Sequence, residues 1–333
     1  MDYCFKSNSK LLDTQIFAQK AQENEKDFFS FMKKINLLND ISKSNKSKIY
    51  IKANLMTYIH KKGLNYTSVP LLKYLCLFLE KNGLKPIIIE SNMFYNTIFP
   101  KHTVENISKK LELDFATILN LSKTEVCQFV YEDKVYPISK IFNTNDYYFI
   151  NFPKIKSHPI FGLTCCIKNL FGCFPEPNKL LQFHKERGID NSILAINHYL
   201  KPDFNLVDAI KCQDQVHDLL PLKLQNYYYP YGYLIGSKNA LSIDLLFYDL
   251  IHSIKNKHLF QLTDIYEKSY QLKESLPQMR NFKHNSSIEQ KIWRQLTKLP
   301  YTNPYFKEGM KRIFRRKLQN PKYLWDSDIF QLK

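Results

Sequence analysis

Glycine is scarce in this chain, with 8 in 333 residues. Phosphate-cradling loops and strained catalytic turns draw on the conformational freedom of glycine, and none of their fingerprints is present. There is no GxxxxGK[ST] loop, no GxGxxG turn and no GxSxG elbow, so P-loop hydrolysis, dinucleotide binding of the Rossmann kind and an elbow serine nucleophile are without support. Cysteine is limited to 7, an odd number without regular spacing. That argues against a disulfide framework and suits a reducing compartment, with the cytoplasm the expected location. No CxxCxxC run exists, so no intrinsic Fe–S cluster is expected. No apolar run approaches the roughly 18 residues needed to cross a bilayer, and the opening MDYCFKSNSK has no apolar core of a signal peptide. Internal repeats, low-complexity segments and long linkers are also missing.

Acidic residues are outnumbered, 31 against 48 basic, giving a formal net charge of +17. Nucleic acid, acidic lipid or an anionic small molecule each fits that balance. So does a compositional habit, because Lys, Asn, Ile, Tyr and Phe are all abundant. The apolar fraction of 44% is enough for a substantial core.

The apolar pattern predicts a mixed α/β fold with a mainly parallel sheet, flanking helices and a basic helical C-terminal segment. Leu11 to Leu38 reads as one or two amphipathic helices with Phe28, Phe29, Phe31 and Met32 on the apolar side. A polar break at Ser42 to Lys48 precedes a buried strand at Ile49–Ile51. Ser68 can cap the next helix, Pro70 fits its first turn, and Gly83 stops it. Pro86 to Glu90 is a second buried strand, which completes a βαβ unit. Gln128 to Ile138 alternates around Glu132-Asp133 as a hairpin, and Tyr147–Phe152, Asn205–Ile210 and Tyr233–Ile235 read as strands. A helix is expected over Ala240–Ile254. Three segments follow: helical 1–47, an α/β domain over 48–258, and a helical basic 259–333 packed on it.

In open α/β sheets, ligands bind beyond the carboxyl ends of the strands. That rule gathers Lys52 and Asn54 from the first strand, Glu90 and Ser91 from the second, and Lys154, Lys156 and His158 from the third. The last three are spaced by two and share one face in an extended chain, forming a row of cations suited to phosphate or carboxylate. A solvated polar face is the competing account of alternating lysines. Thr164, as cap of a short helix ended by Gly172, leaves backbone N–H groups for an anion, with Lys168 and Asn169 one turn on. His158 and His184 are acid/base candidates ahead of metal ligands, although a metal held by the two is open. Lys168, if desolvated, can form a Schiff base. Cys165, Cys166 and Cys173 read as small core residues, since an adjacent pair is not a usual chelate.

These residues carry a family resemblance. Ile51 to Asn54 reads IKAN. Pro153, Lys154, Lys156, His158, Thr164, Lys168, Asn169, Phe171, Gly172, Pro175, Lys179 and His184 follow as PKxKxH…T…KNxFGxxP…K…H. Lys201, Pro202, Asp208 and Ala209 give KPxxxxxDA. Over Lys48 to Leu250 the chain resembles the family called domain of unknown function 362. The matched residues are those already read as a site: Lys52, Asn54, Lys154, Lys156, Thr164, Asn169 and Lys179 are expected to bind a ligand, and His158, Lys168 and His184 to carry any chemistry. Ala53 stands where the family has proline, and Lys211 to His217 replaces a glycine-rich stretch. Many relatives carry a ferredoxin-type segment that this chain lacks.

Two function classes follow. One is a protein, enzyme or not, that binds a small anionic ligand or cofactor at this Lys/His/Thr cleft. The other acts on nucleic acid or an acidic surface through Pro304 to Leu318, PYFKEGMKRIFRRKL, a basic amphipathic helix. Docking of its apolar stripe on the protein body is favoured over nucleic-acid binding.

Overall fold

A computed structural model describes residues 2–6, 15–46, 48–56, 65–93, 102–158, 162–213, 228–229, 232–244 and 247. Strands β1 (Asp2–Lys6) and β2 (Gln15–Lys20) precede helices α1 (Glu25–Lys34) and α2 (Leu37–Ser44). Then come β3 (Lys48–Ala53), α3 (Val69–Glu80), β4 (Pro86–Glu90), α4 (Val104–Lys110) and β5 (Thr117–Asn120). A hairpin, β6 (Val126–Tyr131) and β7 (Lys134–Ser139), leads to β8 (Tyr147–Phe152), β9 (Lys154–His158) and β10 (Gly162–Thr164). The short α5 (Cys166–Asn169), a 3-10 turn at Leu170–Cys173, a π-helical segment at Leu180–Glu186 and α6 (Ile189–Tyr199) follow. Strands β11 (Phe204–Gln213), β12 (Tyr228–Tyr229) and β13 (Tyr233–Ser237) come last, and residues 240–244 are helical.

The fold is mixed α/β. Strands β5-β4-β3-β8-β11 form the parallel centre of one large sheet, and β13, β2 and β1 extend it antiparallel beyond β11. Strand β3 opens the parallel part. The chain then adds β4 and β5 on one side of it before returning to add β8 and β11 on the other. The order therefore reverses between β3 and β8, the kind of switch point where open α/β sheets take ligands.

Central parallel strands are covered on both faces and so read as unbroken apolar runs. Ile49, Ile51, Ala53, Ile150 and Phe152 pack with Phe28, Phe31, Leu72 and Leu75 from α1 and α3. Their alternates Tyr50 and Phe149 pack on the other face with Leu170, Cys173, Phe174, Phe183 and Ile196. Helix α1 begins where the Asn24 side chain accepts the Asp27 N–H, and acidic first-turn and basic last-turn residues suit its dipole. Helix α3 ends at Gly83, whose φ of +75° only glycine adopts freely.

Gln15–Lys20 departs from expectation. The helix expected over Leu11 to Leu38 starts only at Glu25, and Gln15–Lys20 is a strand. Ile16 and Ala18 are buried on one side of it, while its backbone pairs with both β1 and β13. Six residues are too few for helical and strand periods to be told apart. The polar break also starts later, because α2 runs to Ser44 and ends on Asn45 in the left-handed region. The segment Pro304 to Leu318 lies outside the described residues, as does most of the expected helix beyond residue 244. No helix of the described residues is long and apolar enough to cross a membrane.

Candidate functional site

Lys52, Glu90 and Lys154 lie at one end of the parallel strands, as their positions in β3, β4 and beyond β8 require. Lys52, Lys154, Lys156 and Lys179 are all 2% exposed or less. The solvated-face account of the alternating lysines is therefore overturned. A buried ammonium needs compensation, and each of these four finds it differently.

On the α3 side, Lys154 Nζ lies 2.8 Å from Asp208 Oδ2. The same carboxylate oxygen accepts the Ser68 N–H at 2.9 Å, at the start of α3. Lys156 Nζ donates to the Asn65 carbonyl at 3.1 Å. Thr164 stands directly opposite Lys156 in the β9–β10 ladder, so the two side chains share a face. The Thr164 hydroxyl is buried and has no hydrogen-bond partner among the described residues. Nearby, burial pushes the Glu23 carboxyl up, but the Lys211 ammonium at 3.0 Å and the charge on Lys154 hold it below the usual range.

On the opposite face Lys52 Nζ pairs with Glu90 Oε2 at 2.9 Å and donates to the Ala53 carbonyl at 2.5 Å. Glu90 also accepts the Leu55 and Ser91 N–H groups. Lys179 Nζ donates to Ser91 Oγ and, at 3.3 Å, to the Asn92 carbonyl, while Ser91 Oγ donates to the Gly172 carbonyl. Both acceptors of Lys179 are neutral, and burial lowers its amine to about 8 despite the Glu90 charge nearby. Gly172 is closely approached here, since a Cβ would stand 2.6 Å from Lys52 Nζ.

A row of polar side chains crosses the sheet on this second face. Lys52, Asn151, Asn205 and Ser237 are register neighbours on β3, β8, β11 and β13. Asn151 donates to Asn205 Oδ1 at 2.9 Å and to the Cys166 carbonyl at 3.0 Å. Asn169 donates to Asn151 Oδ1 at 2.8 Å and to the Lys52 carbonyl at 3.0 Å. Both amide hydrogens of Asn169 are thus spent on fastening α5 to the sheet.

The remaining candidates are distributed around these two clusters. Asn54 is buried, its N–H bonded to Thr67 Oγ1, and Thr67 donates in turn to the Phe152 carbonyl. Lys168 is half-buried on α5. His158 ends β9 and His184 lies in the π-helical segment, and their side chains are outside the described set. Thr164 is not the helix cap. The cap position is Cys165, and the first N–H groups, of Cys166 and Ile167, go to Asp244 Oδ1 and Oδ2 at 2.8 and 3.0 Å. The expected anion seat at that turn is taken by the protein's own carboxylate, which burial pushes up to about 6. Cys165, Cys166 and Cys173 are buried, as expected.

Sequence reasoning missed Asn65, Thr67, Asn92, Asn151 and Asp244. Asp244 is 78 residues from the N–H group it caps, and no local pattern marks that pairing. Asn151, a lone amide in the apolar run YYFINF, was the one available signal. His102 was missed too. Its Nε2 lies 2.8 Å from the Met56 carbonyl, and burial lowers its imidazole below the ordinary value.

No curated protein and no solved structure matches the chain. Residues 49–249 match the family model described as "Domain of unknown function (DUF362)". That stretch runs from β3 through the helical turn carrying Asp244, and so holds every lysine and carboxylate of both buried clusters. It covers more than half of the chain, which belongs to the DUF362 family.

Proposed function

We propose that the protein binds a small anion, phosphate- or carboxylate-bearing, beyond the carboxyl end of β8, on the β9–β10 ladder, with Lys154, Lys156 and Thr164 as its direct contacts. The observation that carries this is the Thr164 hydroxyl, buried without a partner among the described residues on the same face as two fully buried lysines. Leaving such a hydroxyl unbonded costs about 1–3 kcal/mol. An anion oxygen seated between it and the ammonium groups removes that cost, and hydrogen bonds to charged groups are the strong ones. The β3/β8 switch point lies alongside. On this reading Asn54 lies in the loop beside the anion, Lys52, Asn169 and Lys179 brace the strand ends from the opposite face, and His158, Lys168 and His184 are the groups available for acid/base work on a bound ligand.

Calorimetric titration with inorganic phosphate, and separately with succinate, tests the proposal and distinguishes the two chemistries. Wild type should bind one of them. Lys156→Met should weaken binding by roughly tenfold or more, the equivalent of a lost charge-assisted hydrogen bond. Thr164→Val should weaken it too, yet raise stability of the ligand-free protein by about 1 kcal/mol, since its hydroxyl has no partner among the described residues. A wild type that binds neither anion, or a folded Lys156→Met that binds as wild type does, overturns the proposal.

A further inference from the structure

The turn from β10 into α5 holds a second cluster that the anion site does not use. Side chains of adjacent residues in an extended chain point to opposite sides. At Cys165 the backbone leaves the strand (φ −151°, ψ −137°), and the sulfurs of Cys165 and Cys166 come to lie 3.8 Å apart. Asp244 reaches the same point from the helical turn after β13. One ligand atom from each of the three lies within 4.8 Å of the others, and all three residues are buried.

We propose that Cys165, Cys166 and Asp244 form a thiolate–carboxylate site for a zinc ion. Three features of the geometry support it. Zn–S bonds of about 2.3 Å at tetrahedral angles set two thiolate sulfurs roughly 3.8 Å apart, the separation found here. The carboxylate is already oriented, because both of its oxygens accept backbone N–H groups from Cys166 and Ile167, and ligating carboxylates are characteristically held this way. Two soft sulfurs with one oxygen suit zinc ahead of the harder calcium and magnesium. Binding displaces the two thiol protons to solvent, so zinc meets two thiolates and a carboxylate. Three protein ligands leave a fourth position on a tetrahedral ion, the arrangement of zinc sites that take water or substrate. The site adjoins Thr164 in sequence but shares no residue with the proposed anion contacts, so each proposal can fail alone.

Cobalt(II) titration of the full chain, freed of any affinity tag, is the test. Cobalt should give the near-ultraviolet thiolate-to-metal band and the visible spectrum of a tetrahedral ion, and zinc should displace it stoichiometrically. Cys166→Ser and Asp244→Asn should lose the band, whereas Cys173→Ser, a buried cysteine outside the cluster, should keep it. The wild-type spectrum decides the matter even if a variant fails to fold. A wild type without a thiolate–cobalt band, or a Cys165→Ser, Cys166→Ser double variant that retains zinc, overturns the proposal.

Discussion

A methyl group at Gly172 should be among the most damaging additions this fold can receive. Its Cβ would stand 2.6 Å from Lys52 Nζ, 2.7 Å from Lys52 Cε and 2.7 Å from Glu90 Oε1. Attractive contact between heavy atoms lies at about 3.5–4.0 Å, so roughly an ångström must be found somewhere. Lys52 cannot give it easily, being buried, paired with Glu90 and bonded to the Ala53 carbonyl. Glu90 is held by the Leu55 and Ser91 N–H groups. The turn carrying Gly172 is fastened by Ser91 Oγ on its carbonyl and by buried Leu170, Cys173 and Phe174. Overpacking alone costs about 1–3 kcal/mol, and breaking a buried ion pair about 3–5. Gly172→Ala is therefore expected to lose about 2–4 kcal/mol. Urea unfolding followed by far-ultraviolet circular dichroism measures it. Gly83→Ala is the control for backbone strain, since Gly83 has φ +75° but no atom within 4 Å of a built Cβ, and it should cost about 1 kcal/mol. In a Lys52→Met, Glu90→Gln background, where no charge pair is at stake, the Gly172→Ala penalty should fall to the overpacking figure. A Gly172→Ala protein within about 0.5 kcal/mol of wild type refutes the packing account.

Two further predictions concern the buried charges. The Lys179 amine is lowered from 10.5 to about 8 in the fold, so between those pH values the unfolded chain binds more protons and stability rises with pH. The stability difference between wild type and Lys179→Met should climb by on the order of 3 kcal/mol across that window, and parallel profiles would show that burial does not depress the amine. Asp208→Ala should cost about 3–5 kcal/mol by stranding the Lys154 ammonium, whereas a Lys154→Met, Asp208→Leu pair should cost much less. Equal losses in the single and double variants would mean that Asp208 acts mainly through the Ser68 N–H.

The strands were legible because parallel strands buried on both faces concentrate their apolar residues into runs such as IYI, PIII and YYFINF. The hairpin was legible through Glu132-Asp133, which adopt φ of 45° and 60° at its tip. Gln15–Lys20 was not, since its strand character comes from β1 and β13 on either side. The lysines were legible as a group at the strand ends, by motif and by the carboxyl-end rule. Their division between two faces was not. Alternation sets Lys52, between Ile51 and Ala53, on the side of Gly172, and Lys154, two residues after Phe152, on the side of α3. A motif names residues without saying which way the pleat turns them. Asn169 shows the same gap: the pattern marks the residue on α5, while its partners, Lys52 and Asn151, lie on two strands, β3 and β8.

The two buried carboxylates explain why these lysines sit so deep. Glu90 bonds Lys52 and also the N–H groups of Leu55 and Ser91, just past the ends of β3 and β4. Asp208 bonds Lys154 and also the N–H groups of Ser68 and Ile210. Each carboxylate is thus a joint between a strand-end lysine and the loop backbone that crosses above it. Thr67 connects the two joints, accepting from Asn54 N–H and donating to the Phe152 carbonyl. A buried ion pair contributes little net stability against an apolar pair of similar volume, but it fixes geometry wherever both partners are fully bonded. The carboxyl ends of β3, β4 and β8 are thus tied to the loops above them through these two carboxylates. Lys52 performs that task on one face and Lys154 on the other, where Lys154 would also face the proposed anion beside Lys156 and Thr164, opposed across the β9–β10 ladder.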